Sequence, residues 1–155
     1  MNKIYLSFIK LLKLFFPDEE PEQIPTIEEV IQEDEPVQEK TIFEEIAEQA
    51  DSLTWYDSEG NISNKTTAKA IERWILDNIN YNFYYYPRGV KVTWKERKGD
   101  CTDRALLAEA MFRSIGIRSV LKHGYTDGKK HDWIEVEGYK LFYYGNTTEI
   151  GDGVW

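Results

Sequence analysis

Between residues 101 and 115, Cys101, Ala105, Ala108, Phe112 and Ile115 fall on one stripe at ~100° per residue, with Thr102, Glu109 and Arg113 opposite. The pattern predicts an amphipathic helix. Asp100 stands where an N-cap belongs, Asp103 follows at capping-box distance, and Gly116 is a left-handed stop. Two helices are predicted upstream. Thr41 and Glu44 form a capping-box pattern before the stripe Phe43, Ile46, Ala47 and Ala50, giving a helix through about Ser52. After a turn-rich stretch from Asp57 to Asn64, Thr66 or Thr67 opens a second helix whose buried side is Ala68, Ile71, Trp74, Ile75 and Ile79.

Beyond Gly116 the period drops from 3.6 to 2. Arg118–Tyr125, His131–Val136 and Tyr139–Tyr144 read as strands joined by Asp127-Gly128 and Glu137-Gly138, so an antiparallel meander is expected. Tyr81–Tyr86 is aromatic and strand-like and is closed by Pro87-Arg88-Gly89; core or edge packing is the first reading and a substrate platform the second. Lys91, Lys95, Arg97 and Lys98 read as a solvated basic loop rather than a phosphate site. Together these elements predict an α+β domain over residues 41–155, with the Cys101 helix packed on a three- to four-stranded antiparallel sheet.

The first 40 residues follow a different pattern. In residues 1–16, Lys3, Ser7, Lys10 and Lys13 gather opposite Ile4, Tyr5, Phe8, Leu11, Leu12, Phe15 and Phe16, which predicts a basic amphipathic helix. It is shorter than the ~20 residues of a membrane span. Contact with a membrane surface, docking on the chain's own domain or on a second copy, and a signal peptide are its candidate roles. Residues 17–40 hold Pro17, Pro21, Pro25 and Pro36, and ten of the chain's 28 acidic residues lie in 18–39 without a Lys or Arg, a composition that predicts an extended acidic linker. Although the formal net charge is −9, residues 40–155 therefore carry 18 acids against 16 Lys and Arg. That near balance offers no field for a nucleic acid, and no nucleic-acid partner is expected. A single cysteine excludes an intramolecular disulfide. The expected location is cytoplasmic, with any membrane contact made through residues 1–16.

Cys101 is the candidate nucleophile. At a helix N-terminus it meets the positive end of the dipole, which favours thiolate and predicts a lowered thiol pKa. The competing reading is a small buried hydrophobe. A thiol nucleophile needs a base and a group to orient that base. If Asp127-Gly128 is a two-residue turn, His131 pairs with Gly124 and His123 points to the other face of the sheet. If Glu137-Gly138 is another, His131 pairs with Tyr144, and Asn146 lies diagonally on the same face, roughly 7–8 Å away between Cα atoms. Cys101, His131 and Asn146 can then form a triad, with Trp133 beside His131. The remaining candidate metal ligands, His123 and Asp132 included, lack paired spacing, so neither a metal nor another cofactor is expected.

KGDCTDRALLAEAMFRSIGIRS, HDWIEV and YGNTT resemble, in order and spacing, the three motifs of the transglutaminase-like superfamily, over about residues 66–150. That family has a papain-like fold in which a G-x-C helix precedes an H-x-W strand and a D-P-T strand end. The resemblance implies Cys101 as nucleophile and His131 as base, while Asn146 stands where the family has aspartate and Thr147 where it has proline. It also implies the Cys101 amide as an oxyanion donor; the Trp94 indole or a hydroxyl from Tyr84–Tyr86 is a candidate second. The function expected is a cysteine-dependent amide hydrolase, a peptidase or amidase acting on a peptide or protein through a thioester. Acyl transfer to an amine, as in transglutaminases, and a non-catalytic peptide-binding module are the alternatives.

Overall fold

The computed structural model of the chain describes residues 39–155, so the helix expected over 1–16 and nearly all of the segment 17–40 lie outside the described residues. Helix α1 (Ile42–Ser52) starts where its capping pattern predicts. The Thr41 hydroxyl accepts the Glu44 N–H at 3.3 Å, and the Glu44 carboxylate accepts the Thr41 N–H at 2.7 Å. Helix α2 (Asn64–Asn78) begins slightly ahead of Thr66 and buries Thr67, Ala68, Ile71 and Ile75.

The aromatic stretch after α2 departs from the strand expected there. Only β1 (Asn80–Tyr81) is extended and paired, running parallel to β2 (Lys98–Gly99), and Phe83, Tyr85 and Tyr86 are exposed. The basic run is not a loop either: Val90–Glu96 form helix α3, because Thr93 and Trp94 turn inward while Lys91 and Lys95 stay on the outer side. Arg97 ends it in the left-handed region at φ 53°.

Helix α4 (Cys101–Ser114) is the central element. It packs against α1, α2 and α3 and against the sheet, and it buries Ala105, Leu107, Ala108, Met111 and Phe112. Thr102, expected on the outer side, is buried because its hydroxyl donates to Asp132. The sheet comprises β3 (Val120–Thr126), β4 (Lys129–Val136), β5 (Tyr139–Leu141) and β6 (Thr147–Asp152), all neighbours antiparallel, in the order β5-β4-β3-β6. Both hairpins have the predicted two-residue turns, with Asp127 and Gly128, then Glu137 and Gly138, at positive φ.

Ile134, Val136 and Leu141 join Ile46, Ile71, Ile75 and the apolar side of α4 in one core. Strand β6 was not predicted. It is an edge strand with mostly exposed side chains, so it carries no apolar alternation. Among the described residues, no helix is long and apolar enough to cross a membrane.

Candidate active site

Gly99-Asp100-Cys101 forms a tight entry into α4. A Cβ on Gly99 would lie 2.7 Å from Asp103 Cβ and 3.2 Å from Thr93 Cγ2, so only glycine admits this approach. Asp100 Oδ1 accepts the Asp103 N–H at 3.1 Å, and the Asp103 carboxylate reaches back to the Asp100 N–H. Asp103 Oδ1 also accepts the N–H groups of Arg88 (2.7 Å) and Gly89 (3.1 Å). One buried carboxylate thus caps the helix and ties the 82–89 segment beside the cysteine, a second role that the capping pattern alone did not reveal.

Cys101 is half-buried, and the backbone N–H of Asp132 lies by its sulfur. Burial pushes the thiol above its ordinary pKa; the Asp132 N–H opposes this, while the Asp100 and Asp132 carboxylates add to the rise. The predicted lowering is therefore corrected. The sulfur is partly withdrawn from water beside two carboxylates, and desolvation is the largest of the effects that act on it.

His131 precedes Asp132, the residue whose N–H meets the sulfur and whose carboxylate accepts the Thr102 hydroxyl. Its imidazole is buried, 6.1 Å from the Trp133 ring and 5.6 Å from the Tyr144 ring between centroids. Nε2 lies 2.7 Å from the Phe142 carbonyl oxygen. A carbonyl only accepts, so Nε2 carries the proton and Nδ1 keeps the lone pair of a base. The thiol and imidazole are not hydrogen-bonded to each other in this resting arrangement, and such contacts tighten in substrate complexes.

The Phe142 carbonyl is itself held. Phe142 adopts φ 60°, its N–H donates to Glu72 Oε1 at 2.7 Å, and the Tyr139 hydroxyl donates to Glu72 Oε2 at 2.5 Å. Glu72 of α2 thereby holds the N–H side of the residue whose carbonyl meets His131. No motif points to it, since it is one glutamate of an amphipathic helix far away in sequence.

Asn146 does not occupy the orienting position. β4 and β5 keep the predicted register only to Leu141, because the left-handed Phe142 takes the chain out of the ladder before Tyr144 and Asn146. Asn146 is exposed in the bend before β6, without a bond to His131. The Trp94 indole N–H donates to Glu45 Oε2 at 2.6 Å, and its ring stacks on Trp74 inside the helical core. Trp133 does lie beside His131, fully buried, and touches Tyr143 edge-on. His123 pairs with Asp132 on the other face of the sheet, packed against Trp155. Among the described residues, no three of His, Cys, Asp and Glu gather as a metal site would need. Two surface clefts, one by Asp51 and Tyr56 and one by Arg118 and Glu135, include neither Cys101 nor His131.

A thiol at the start of a central helix, brought to the first residues of a His-x-Trp strand in an antiparallel sheet, defines a papain-like α+β fold. The family model of the transglutaminase-like superfamily matches residues 52–145, and the chain belongs to that superfamily. Two solved structures share the fold. One, described as a candidate cysteine protease from Cytophaga hutchinsonii, has a TM-score of 0.55 and 21% identity over 72% of this chain and 42% of its own. The other, described as a candidate protease from Parabacteroides distasonis, has a TM-score of 0.51 and 16% identity over 73% of this chain and 28% of its own. The chain thus spans less than half the length of either. No curated protein matches it.

Proposed function

We propose that residues 39–155 carry a cysteine-dependent amide hydrolase, a peptidase or amidase with Cys101 as nucleophile and His131 as base. The observation that carries this reading is the Nε2–H bond from His131 to the Phe142 carbonyl, which leaves Nδ1 unprotonated on the residue next to Asp132, whose N–H meets the sulfur. His131 Nδ1 takes the thiol proton as sulfur attacks the amide carbon. The oxyanion meets the Cys101 N–H, one of the free donors of the first helical turn. Imidazolium then gives its proton to the departing amine, leaving a thioester. Water, deprotonated by the same Nδ1, attacks the thioester and returns the thiol. The Phe142 carbonyl takes the part of the third triad member.

The test is trapping of the acyl-enzyme. Full chain incubated with an activated acyl ester should gain one acyl mass at Cys101, removable by hydroxylamine, and Cys101→Ala should gain none. An adduct that survives Cys101→Ala, or no adduct on the wild-type chain, would contradict the reading.

A further inference from the structure

Arg104 lies one helical turn beyond Cys101 on α4, at the i, i+3 spacing that makes side chains neighbours. Its guanidinium is half-buried. One nitrogen, Nη2, donates to the Ile79 carbonyl at 2.5 Å, and the plane sits 5.3 Å from the Tyr81 ring centroid. Nε is buried without a partner. Among the described residues no carboxylate pairs with it; the ionisable groups that act on it are the Tyr144 and Tyr81 phenols and the Cys101 thiol. Tyr144 in turn contacts His131. Arg104 is therefore a half-buried cation without a carboxylate partner, held at one end by the Ile79 carbonyl and lying against the Tyr81 ring, one helical turn from Cys101. Nε is closed off from solvent, so an anion would meet the outward side of the guanidinium, where a half-buried cation without a counter-ion gains from one.

Resting on the catalytic reading above, we infer that Arg104 is the specificity-determining residue of this site and binds a carboxylate of the substrate. The substrate class is then an acyl donor with an acidic group close to the scissile amide: a peptide with an aspartate, glutamate or free α-carboxylate next to the cleaved bond. The planar guanidinium offers the directed N–H donors that carboxylates match. The phenols of Tyr81 and Tyr144 flank it as a neutral rim. Residues 40–155 are near charge balance, with 18 acids against 16 Lys and Arg, so a preference for an anionic ligand has to come from a local cation.

The experiment uses two probes with the same electrophile, iodoacetylglycine and iodoacetylglycinamide, which differ only in carrying a carboxylate or an amide. Alkylation of Cys101 is followed by intact mass on the full chain, with N-acetylcysteinamide as the free-thiol reference. The acid-to-amide rate ratio on the wild-type chain should exceed the reference ratio. In Arg104→Gln it should fall about tenfold, the worth of a charge-assisted contact. Arg104→Lys should recover part of the ratio. An equal ratio in wild type and Arg104→Gln would overturn the inference. So would an equal slowing of both probes, because Arg104 would then serve the thiol rather than the substrate. If His131→Ala leaves the amide-probe rate unchanged, the catalytic reading fails, and the probe ratio still decides the role of Arg104.

Discussion

At the residue scale, the tautomer of His131 is set by a peptide carbonyl that no side-chain substitution removes, so Glu72 is the experimental handle. Glu72→Ala strips the acceptor from the Phe142 N–H and the Tyr139 hydroxyl together. The orphaned groups should lower stability by about 1–3 kcal/mol. Released from φ 60°, Phe142 would let the imidazole turn, and kcat should fall about tenfold, a part of what a general base contributes, with KM little changed. Glu72→Gln keeps one acceptor and should lie between. Asn146→Ala should stay within about twofold of wild type, because an exposed amide outside the ladder orients nothing. Steady-state kinetics on the three variants distinguishes the Phe142 arrangement from a Cys-His-Asn triad, which requires the opposite ranking. The nucleophile and base candidates were legible in the sequence because residue type and spacing mark them. The orienting group was not, because a left-handed phenylalanine leaves no signature in composition or period.

At the scale of elements, two glycines set how closely the chain segments around the site approach. A Cβ on Gly124, opposite His131, would fall 2.0 Å from the Thr148 carbonyl oxygen, and backbone cannot step aside as a flexible side chain can. Gly124→Ala should force β6 off β3 and cost about 1–3 kcal/mol, read as a lower urea midpoint. Gly99→Ala meets Asp103 and Thr93 and should cost a similar amount. Because it displaces the first turn of α4, it should also slow alkylation of Cys101. Helices α1 and α4 were legible through their capping boxes and stripes, and the β3-β4-β5 meander through its two Xaa-Gly turns. Helix α3 was not, since its seven residues present barely two turns of period and its lysines suggest a loop. Edge strand β6 lacks the alternation that a half-buried strand shows.

At the scale of the whole molecule, the bond between α2 and the β4-β5 hairpin links stability to pH. Burial, with the Glu72 carboxylate, pushes the Tyr139 phenol up to about 12 from 10.0. The folded chain holds this proton where the unfolded chain releases it. The contribution is therefore complete below pH 10 and fades as pH rises from about 10 to 12. Melting temperatures between pH 8 and 11 should fall more steeply for the wild-type chain than for Tyr139→Phe. Parallel curves would contradict the link.

The most direct measurement of the central claim, that Cys101 and His131 work as nucleophile and base, is the pH profile of iodoacetamide alkylation of the full chain and of His131→Ala. A thiol raised by burial, left alone, reacts only above the ordinary cysteine range of about 8.5. The account predicts that wild type is alkylated faster than His131→Ala at neutral pH and that the two rates converge at alkaline pH, where the thiol ionises unaided. Identical profiles for the two proteins would show that the imidazole does not act on the thiol, and the account would fall.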